Sequence, residues 1–280
     1  MGIYKPSELF SFLESIGTAP KKGLSQNFLI DKNILSKIVD AAQVSPGDVV
    51  LEIGPGPGSL TEALLERGAH VYAVEKDALL AKALERFQTP GVHLQIFEED
   101  ILNFSLEKLP ADKKIKVIAN LPYHLTTPIL ARLVPHQELI SKIVVMVQDE
   151  VARRMCAKPK TKEYSSFTVF LQFFTDLHYA FFVGRKCFYP SPKVDSAVVA
   201  LSLKTPPNVS SQEAFFSLVR GAFGQRRKML RASLKRFFAQ DRLQEAFLAA
   251  KINETERPEA LSLDDFLRLF QALEEQPGDP

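Results

Sequence analysis

From about residue 32 to residue 150 the chain alternates short apolar runs with segments whose apolar residues recur every three or four positions. Asp48–Ile53, His70–Glu75, Val92–Phe97, Ile115–Ala119 and Ile143–Val147 are brief and rich in Val and Ile, the pattern of strands buried on both faces. Ile34–Ala42, Leu60–Glu66, Ala78–Phe87 and Pro128–Leu133 separate them with helical spacing. Strands joined in this way by crossover helices build a parallel, doubly wound α/β sheet with right-handed connections.

After Asp149 the pattern changes. Glu150–Met155 predicts a short helix, Phe167–Phe174 a very aromatic helical or buried segment, and His178–Val183 with Ala197–Leu203 an antiparallel pair closing the sheet edge. The run Thr-Pro-Pro-Asn-Val-Ser-Ser at 205–211 reads as a linker. Beyond it there is no strand signal: Gln212–Phe223, Arg226–Phe238, Leu243–Leu248 and Ser262–Leu273 read as helices. The expected organisation is a sheet domain over 1–204, a linker over 205–211 and a small all-helical domain over 212–280. At the start, Ser7–Gly17 reads as a short amphipathic helix with Ser7 as its cap and Gly17 as its stop.

Composition narrows the class only slightly. With 46% hydrophobic residues in 280, the chain can bury a substantial core. Cys156 and Cys187 lack CxxC or CxxH spacing, so neither a disulfide framework nor a zinc site is expected. No stretch has the length of a membrane span, and no signal-peptide core precedes the first helix. A cytoplasmic, monomeric protein without metal is the expectation. The net charge of +2 is too small to argue for nucleic acid by itself.

Chemistry concentrates where strands end. Glu52-Ile53-Gly54-Pro55-Gly56-Pro57-Gly58 lies between a strand and a helix. Its glycines, Gly54 and Gly56 among them, let backbone approach a ligand where a β-carbon would collide. The spacing is GxGxG, not the GxGxxG of dinucleotide sites. Glu75, about twenty residues on and at the tip of the second strand, is placed to accept from both hydroxyls of a ribose, and Asp100, after the third, from an adenine amine. Asn120-Leu121-Pro122-Tyr123 follows the fourth. Asn120 Oδ1 and the Leu121 carbonyl suit the hydrogens of an exocyclic adenine amine, whose lone pair is otherwise delocalised into the ring. Pro122 holds Leu121 extended, and Tyr123 offers a ring on which a flipped-out base stacks. An ordinary strand-to-helix turn also uses Asn and Pro, so the ordered series of acids and glycines carries the argument rather than any one motif.

These residues, with Lys21-Lys22-Gly23-Leu24-Ser25-Gln26-Asn27-Phe28-Leu29, Phe188-Tyr189-Pro190-Ser191-Pro192-Lys193-Val194-Asp195-Ser196 and Phe223-Gly224-Gln225-Arg226-Arg227-Lys228, give a chain that resembles the ribosomal RNA adenine N6-dimethyltransferases over roughly residues 20 to 275. The similarity is strongest to their bacterial kasugamycin-sensitivity branch, which acts on 16S rRNA. It implies a Rossmann-like class I methyltransferase domain and S-adenosylmethionine as methyl donor. By the same resemblance the cofactor contacts are Asn27, Leu29, Gly54, Glu75, Asp100 and Asn120, with Gln26 as a neighbour. The substrate it implies is a pair of adjacent adenosines in the hairpin loop near the 3′ end of 16S rRNA, within the small ribosomal subunit or its precursor, with a role in subunit biogenesis. Two alternatives are a macrolide-resistance type of 23S rRNA methyltransferase and an RNA-binding assembly factor whose catalysis is incidental. Leu121 and the Phe-Gly-Gln-Arg-Arg-Lys segment favour the small-subunit reading. One departure is Gly224, where Asn is more usual.

Two readings from the residues complete the expectation. Phe188, stiffened by Pro190 and Pro192, is expected opposite Tyr123, so that a base lies between two aromatic rings. Arg226, Arg227, Arg231 and Lys235 belong to a run without acids from Arg220 to Arg236. Arg227, Arg231 and Lys235 recur every fourth residue, a one-sign helical stripe suited to RNA phosphates and backed by Leu230, Leu234 and Phe237. Lys21, Lys22, Arg153, Arg154, Lys158, Lys160 and Lys162 are candidates to extend that track.

Overall fold

The computed structural model describes residues 3–24, 26–225 and 228–275. In chain order, the first elements are α1 (Pro6–Ser15), β1 (Phe28–Leu29), α2 (Lys32–Ala41), β2 (Val49–Ile53), α3 (Ser59–Glu66), β3 (His70–Glu75), α4 (Ala78–Ala83), β4 (Leu94–Glu98), β5 (Ile115–Asn120), α5 (Thr126–Leu133), β6 (Ile140–Gln148) and α6 (Asp149–Met155). α7 (Ser166–Phe174), β7 (Thr175–Val183), β8 (Phe188–Tyr189) and β9 (Ser196–Leu203) follow. The chain ends in α8 (Gln212–Phe223), α9 (Leu230–Leu234), α10 (Gln240–Ala249) and α11 (Leu263–Glu274).

The main sheet has the order β4-β3-β2-β5-β6-β9-β7. Its first five strands are parallel, and β9 runs antiparallel to β6 with Val145 opposite Val199. The doubly wound α/β fold read from the alternating pattern is therefore present. All five residues of β2 are buried, as a central strand covered on both faces requires. One side of the sheet packs against Leu35, Ile38 and Val39 of α2 and Leu60 and Leu64 of α3. Helix α2 begins where Asp31 accepts from the N–H groups of Asn33 and Ile34 at 2.9 and 3.2 Å, satisfying two donors that the helix cannot pair internally.

Strand order reverses between β2 and β5. Crossovers from β2 and β5 leave in opposite directions, which opens a crevice at their carboxyl ends. Ile53 is paired with Ala119, so Gly54 and Asn120 emerge side by side at that point.

The N-terminal segment is tied to the same unit. Helix α1 starts at Pro6, not at a Ser7 cap: the Glu8 carboxylate accepts from the N–H groups of Tyr4 and Lys5 at 3.0 and 3.1 Å. Leu9 and Leu13 bury their side chains with Ile3, Phe28, Ile30 and Leu80. Ser59 Oγ donates to the Ile3 carbonyl at 3.1 Å, and the Tyr4 hydroxyl to Glu62 at 3.0 Å.

Two compact units divide the chain, one holding residues up to Ala152 with Asp176–Lys204, the other Arg153–Thr175 with the chain from Thr205 on. The division after 204 coincides with the expected linker, while the segment 153–175 groups with the C-terminal helices rather than with the sheet. Its aromatic residues explain the grouping: Phe173 of α7 lies 5.2 Å from Phe215 and 5.0 Å from Phe216 of α8, ring centre to ring centre, and Phe215 lies 5.6 Å from Phe270 of α11. Such edge and tilted ring pairs add to the area they bury.

The helix expected over Arg226–Phe238 is shorter. Of the described residues in that span, Leu230–Leu234 alone is helical, with Lys235 as its cap. Leu230 and Leu234 are buried, but Phe237 is exposed along one side while its ring covers Gly221, where a β-carbon would sit 2.8 Å from it. Arg226 and Arg227 lie outside the described residues.

Candidate active site

A cleft of about 180 Å3 opens at the carboxyl ends of β2, β3, β4 and β5. Of the residues expected to form the site, Gln26, Asn27, Gly54, Gly56, Glu75, Asp100, Asn120, Leu121, Pro122 and Tyr123 all line it. Leu29 and Phe188 do not. They pair with each other across the short antiparallel ladder of β1 and β8, and both side chains sit in the apolar core of the sheet unit, at 7% and 3% exposure. Phe188 is therefore a core ring here, not the second wall of a base sandwich, because the β1–β8 ladder turns it inward.

The glycine loop is shaped by what surrounds it. Gly56 has φ +57, and a β-carbon there would lie 2.9 Å from the Phe28 ring. Gly58 has φ +87, with Phe87 only 2.6 Å from the same imagined atom. Both positions exclude larger residues by conformation and by space.

Glu75, at the tip of β3, is buried, at 6% exposure. Its Oε2 accepts from Gly56 N–H and its Oε1 from Asp77 N–H, each at 2.9 Å. The carboxylate thus braces the glycine loop. Each oxygen retains a further lone pair that could accept from a hydroxyl. Burial raises its pKa, with the bonds from Asp77 and Gly56 opposing that rise.

Asp100 accepts from Leu102 N–H at 2.9 Å and from Lys76 Nζ at 2.9 Å. The Leu102 bond first, then Lys76, hold its carboxyl below the ordinary range. It remains an anionic acceptor suited to an amine. An acceptor for a diol, an acceptor for an amine and a loop that admits backbone contact together fit the adenosine half of S-adenosylmethionine.

The acceptor end of the cleft is set by Asn120. Its Nδ2 donates to the Asn27 carbonyl at 3.1 Å. A carbonyl can only accept, so this bond assigns the amide orientation and leaves Oδ1 as the free-facing acceptor. Leu121 is buried and its N–H donates to the Met146 carbonyl at 3.2 Å. Pro122, at φ −56 and ψ 126, turns the chain into a single turn over Tyr123–Leu125. The Tyr123 hydroxyl shares a 2.9 Å hydrogen bond with Ser196 Oγ, which fixes the ring, and burial raises its pKa.

Asp77 was not anticipated as part of this machinery. Its side chain is almost wholly buried and accepts from Lys21 Nζ at 2.8 Å and from Gln26 Nε2 at 3.2 Å. Gln26 Oε1 in turn accepts from Lys21 N–H at 2.7 Å. These bonds tie Lys21 and Gln26 to Asp77, so Gln26 acts through Asp77 and Lys21 is committed to an acid. The legible signal was modest: Asp77 stands where a helix N-cap belongs, and it caps Leu79.

The basic stripe also looks different. Arg231 is paired with Glu254 at 3.0 Å, an acid from beyond the run, so its charge is partly neutralised in place. Lys235 is exposed. Among the described residues no group of three or more His, Cys, Asp or Glu could hold a metal, and no helix is long and apolar enough to cross a membrane.

The sequence profile described as Ribosomal RNA adenine dimethylase matches residues 17–275. The chain is 59% identical to Ribosomal RNA small subunit methyltransferase A of Protochlamydia amoebophila over 98% of both chains, and 50% identical to the protein of the same name in Chlamydia abortus over 96% of this chain and 97% of that one. Among solved structures, a dimethyladenosine transferase from Plasmodium falciparum superposes with a TM-score of 0.72 at 28% identity, covering 86% of this chain and 95% of the other. The 23S rRNA methyltransferase ErmE superposes with a TM-score of 0.70 at 28% identity, covering 89% and 100%. A cleft built for an adenosine cofactor, an oriented Asn at its acceptor end and a profile match over nearly the whole length lead to one conclusion: the chain belongs to the ribosomal RNA adenine dimethylase family.

Proposed function

We propose that this enzyme transfers methyl groups from S-adenosylmethionine to N6 of two adjacent adenosines in the hairpin loop near the 3′ end of 16S rRNA, giving N6-dimethyladenosine, on the small ribosomal subunit or its precursor in the cytoplasm. The observation that carries the reaction is the Asn120 amide, which lines the cleft and is held through Nδ2 by the Asn27 carbonyl, and this supports Oδ1 as the acceptor for an incoming amine. The choice of the small-subunit substrate is supported by 59% and 50% identity to proteins named for that subunit. The two solved structures superpose almost equally well, so the fold does not separate this substrate from that of a 23S enzyme.

When bound, S-adenosylmethionine supplies an electrophilic methyl group on a sulfonium. Everything else falls to the chain. Glu75 and Asp100 hold the adenosine half, and the glycine loop admits it closely. Tyr123 provides a flat, tethered surface on which an extruded adenine rests. Asn120 Oδ1 and the Leu121 carbonyl accept the two hydrogens of the N6 amine, localising its lone pair towards the methyl donor. These acceptors act most strongly as positive charge develops on nitrogen. The proton then leaves to solvent from an amine made acidic by methylation, so alignment matters more than a strong general base. With one hydrogen replaced, the amine must turn within the same pocket to present its lone pair again.

The test is a methyl-transfer assay in which unmethylated small subunits compete with 23S rRNA. Radiolabel confined to the small subunit, in two adjacent dimethyladenosines, is expected. Preferential labelling of 23S rRNA would contradict the substrate assignment.

A further inference from the structure

Behind the glycine loop lies a second, smaller cavity of about 30 Å3, lined in part by Glu52, Ser59, Leu60 and Asn120. Phe28, Gly54 and Asn120 border both this cavity and the cofactor cleft. Glu52 is 1% exposed, and neither of its carboxyl oxygens has a hydrogen-bond partner among the described residues. An unpaired carboxylate is very costly in such a place, so the group is expected to keep its proton.

The surroundings offer little to change that. The strand neighbours of Glu52 are Ala73 on β3 and Ile118 on β5. Leu35 and Ile38 of α2 and Leu60 of α3 supply apolar walls of the cavity, and Ser59 and Asn120 polar ones; the Thr61 hydroxyl also acts on the carboxyl. Thr61 Oγ1 likewise makes no well-formed hydrogen bond among the described residues, yet it is near enough to act on the Glu52 carboxyl. Burial pushes the Glu52 carboxyl up to about 8; the Thr61 hydroxyl opposes this, and Glu75, the one charged side chain acting on it, adds to it. Among the described residues no cation acts on Glu52 to favour the anion. The cofactor would bring one: its sulfonium is positive, whereas the thioether left after methyl transfer is neutral.

We propose that Glu52 is a positioning residue for the cofactor, releasing its carboxyl proton to solvent when the positively charged donor enters the adjoining cleft and regaining one when the neutral product remains. The inference rests on S-adenosylmethionine being the ligand of that cleft. Only the O–H bond of the carboxyl breaks and re-forms, with the solvent as proton acceptor and donor. The consequence is a cleft that prefers donor over product increasingly as pH rises towards 8, by up to about tenfold per pH unit.

Titration calorimetry of the full chain at pH 7, in two buffers of different ionisation enthalpy, reads the proton directly. Wild type should release close to one proton on binding S-adenosylmethionine and much less on binding S-adenosylhomocysteine. Glu75 and His124 also border the cleft, so the share belonging to Glu52 is read from Glu52→Gln, which should bind donor without that release and with a flatter pH dependence. Infrared difference spectra of the ligand-free proteins should show a protonated carboxyl band that Glu52→Gln lacks. If Glu52→Gln does not fold, Thr61→Val serves instead: losing the hydroxyl that favours the anion should shift the wild-type rise in affinity to higher pH. Donor binding with no proton release, or the same release in Glu52→Gln, would overturn the proposal alone. No binding of S-adenosylmethionine at all would overturn the cofactor reading, and the proposal with it.

Discussion

The side chain of Asn120 takes its orientation from the main chain of Asn27, whose carbonyl accepts from Nδ2 at 3.1 Å. Two segments 93 residues apart are thereby joined at the acceptor end of the cleft. The bond uses a backbone atom, so no substitution of Asn27 removes it. Its effect is to commit the NH2 to the main chain and leave Oδ1 as the acceptor that the proposed reaction needs.

Glu75→Ala should cost both affinity and stability. The carboxylate holds the Gly56 and Asp77 N–H groups and lines the cofactor cleft. Hydrogen bonds to a charged group contribute about 1.5–3 kcal/mol, so S-adenosylmethionine affinity should fall roughly ten- to hundredfold. The melting temperature should fall too, because two buried donors lose their acceptor. Calorimetry and thermal unfolding check the two effects, and unchanged affinity would remove Glu75 from the cofactor site.

Asp77→Asn should loosen the strap formed by Lys21 and Gln26 while keeping a competent helix cap. Burial raises the Asp77 carboxyl, but the bonds from Lys21 and Gln26 outweigh it and its pKa is lowered overall. A depressed pKa stabilises the fold above the ordinary carboxylate range, and that contribution disappears as pH falls through the folded-state value. Wild type and Asp77→Asn should therefore differ in stability at pH 7 and converge below about pH 4. Faster amide exchange confined to the strap at neutral pH is expected; uniform exchange across the unit would contradict the assignment.

Tyr123→Ala should weaken retention of the extruded base and raise the proportion of monomethyladenosine, since the pocket wall that holds the once-methylated amine is gone. Base stacking on an aromatic ring contributes about 1–3 kcal/mol. Tyr123→Phe keeps the ring and loses only the bond to Ser196, so it should dimethylate more completely than the Ala variant. Mass spectrometry of digested rRNA counts both products.

For RNA binding, Lys235→Gln should lower the slope of log affinity against log salt more than Arg231→Gln does. Lys235 is an exposed cation, whereas Arg231 already has Glu254 as its counter-charge. Each phosphate contact contributes to counterion release, and a cation held by an acid releases less. Equal slopes for the two variants would assign both side chains the same role.

The parallel strands were legible because burial on both faces leaves an uninterrupted apolar run, as in Val49–Ile53. The ends of those strands were legible for a related reason: glycines and acids there interrupt the apolar pattern. What escaped depended on contacts between distant segments. Nothing local distinguishes Phe188 in a stiff loop from Phe188 in a ladder with Leu29, 159 positions earlier in the chain by their numbers. Arg231 looked unpaired because Glu254 lies outside the acid-free run. The one-sign stripe also assumed a continuous helix, and the regular turn extends only over Leu230–Leu234. Lys21 read as an available cation until Asp77 folded beneath it.

The most direct measurement is single-turnover methyl transfer by Asn120→Ala on unmethylated small subunits, with substrate affinity determined on the same preparation. Removing one preorganised polar partner of a developing charge typically costs about a hundredfold to a thousandfold in rate. The variant should lose that much in the chemical step while binding small subunits nearly as wild type does. Turnover close to wild type would contradict the claim that Asn120 Oδ1 prepares the adenine amine for attack.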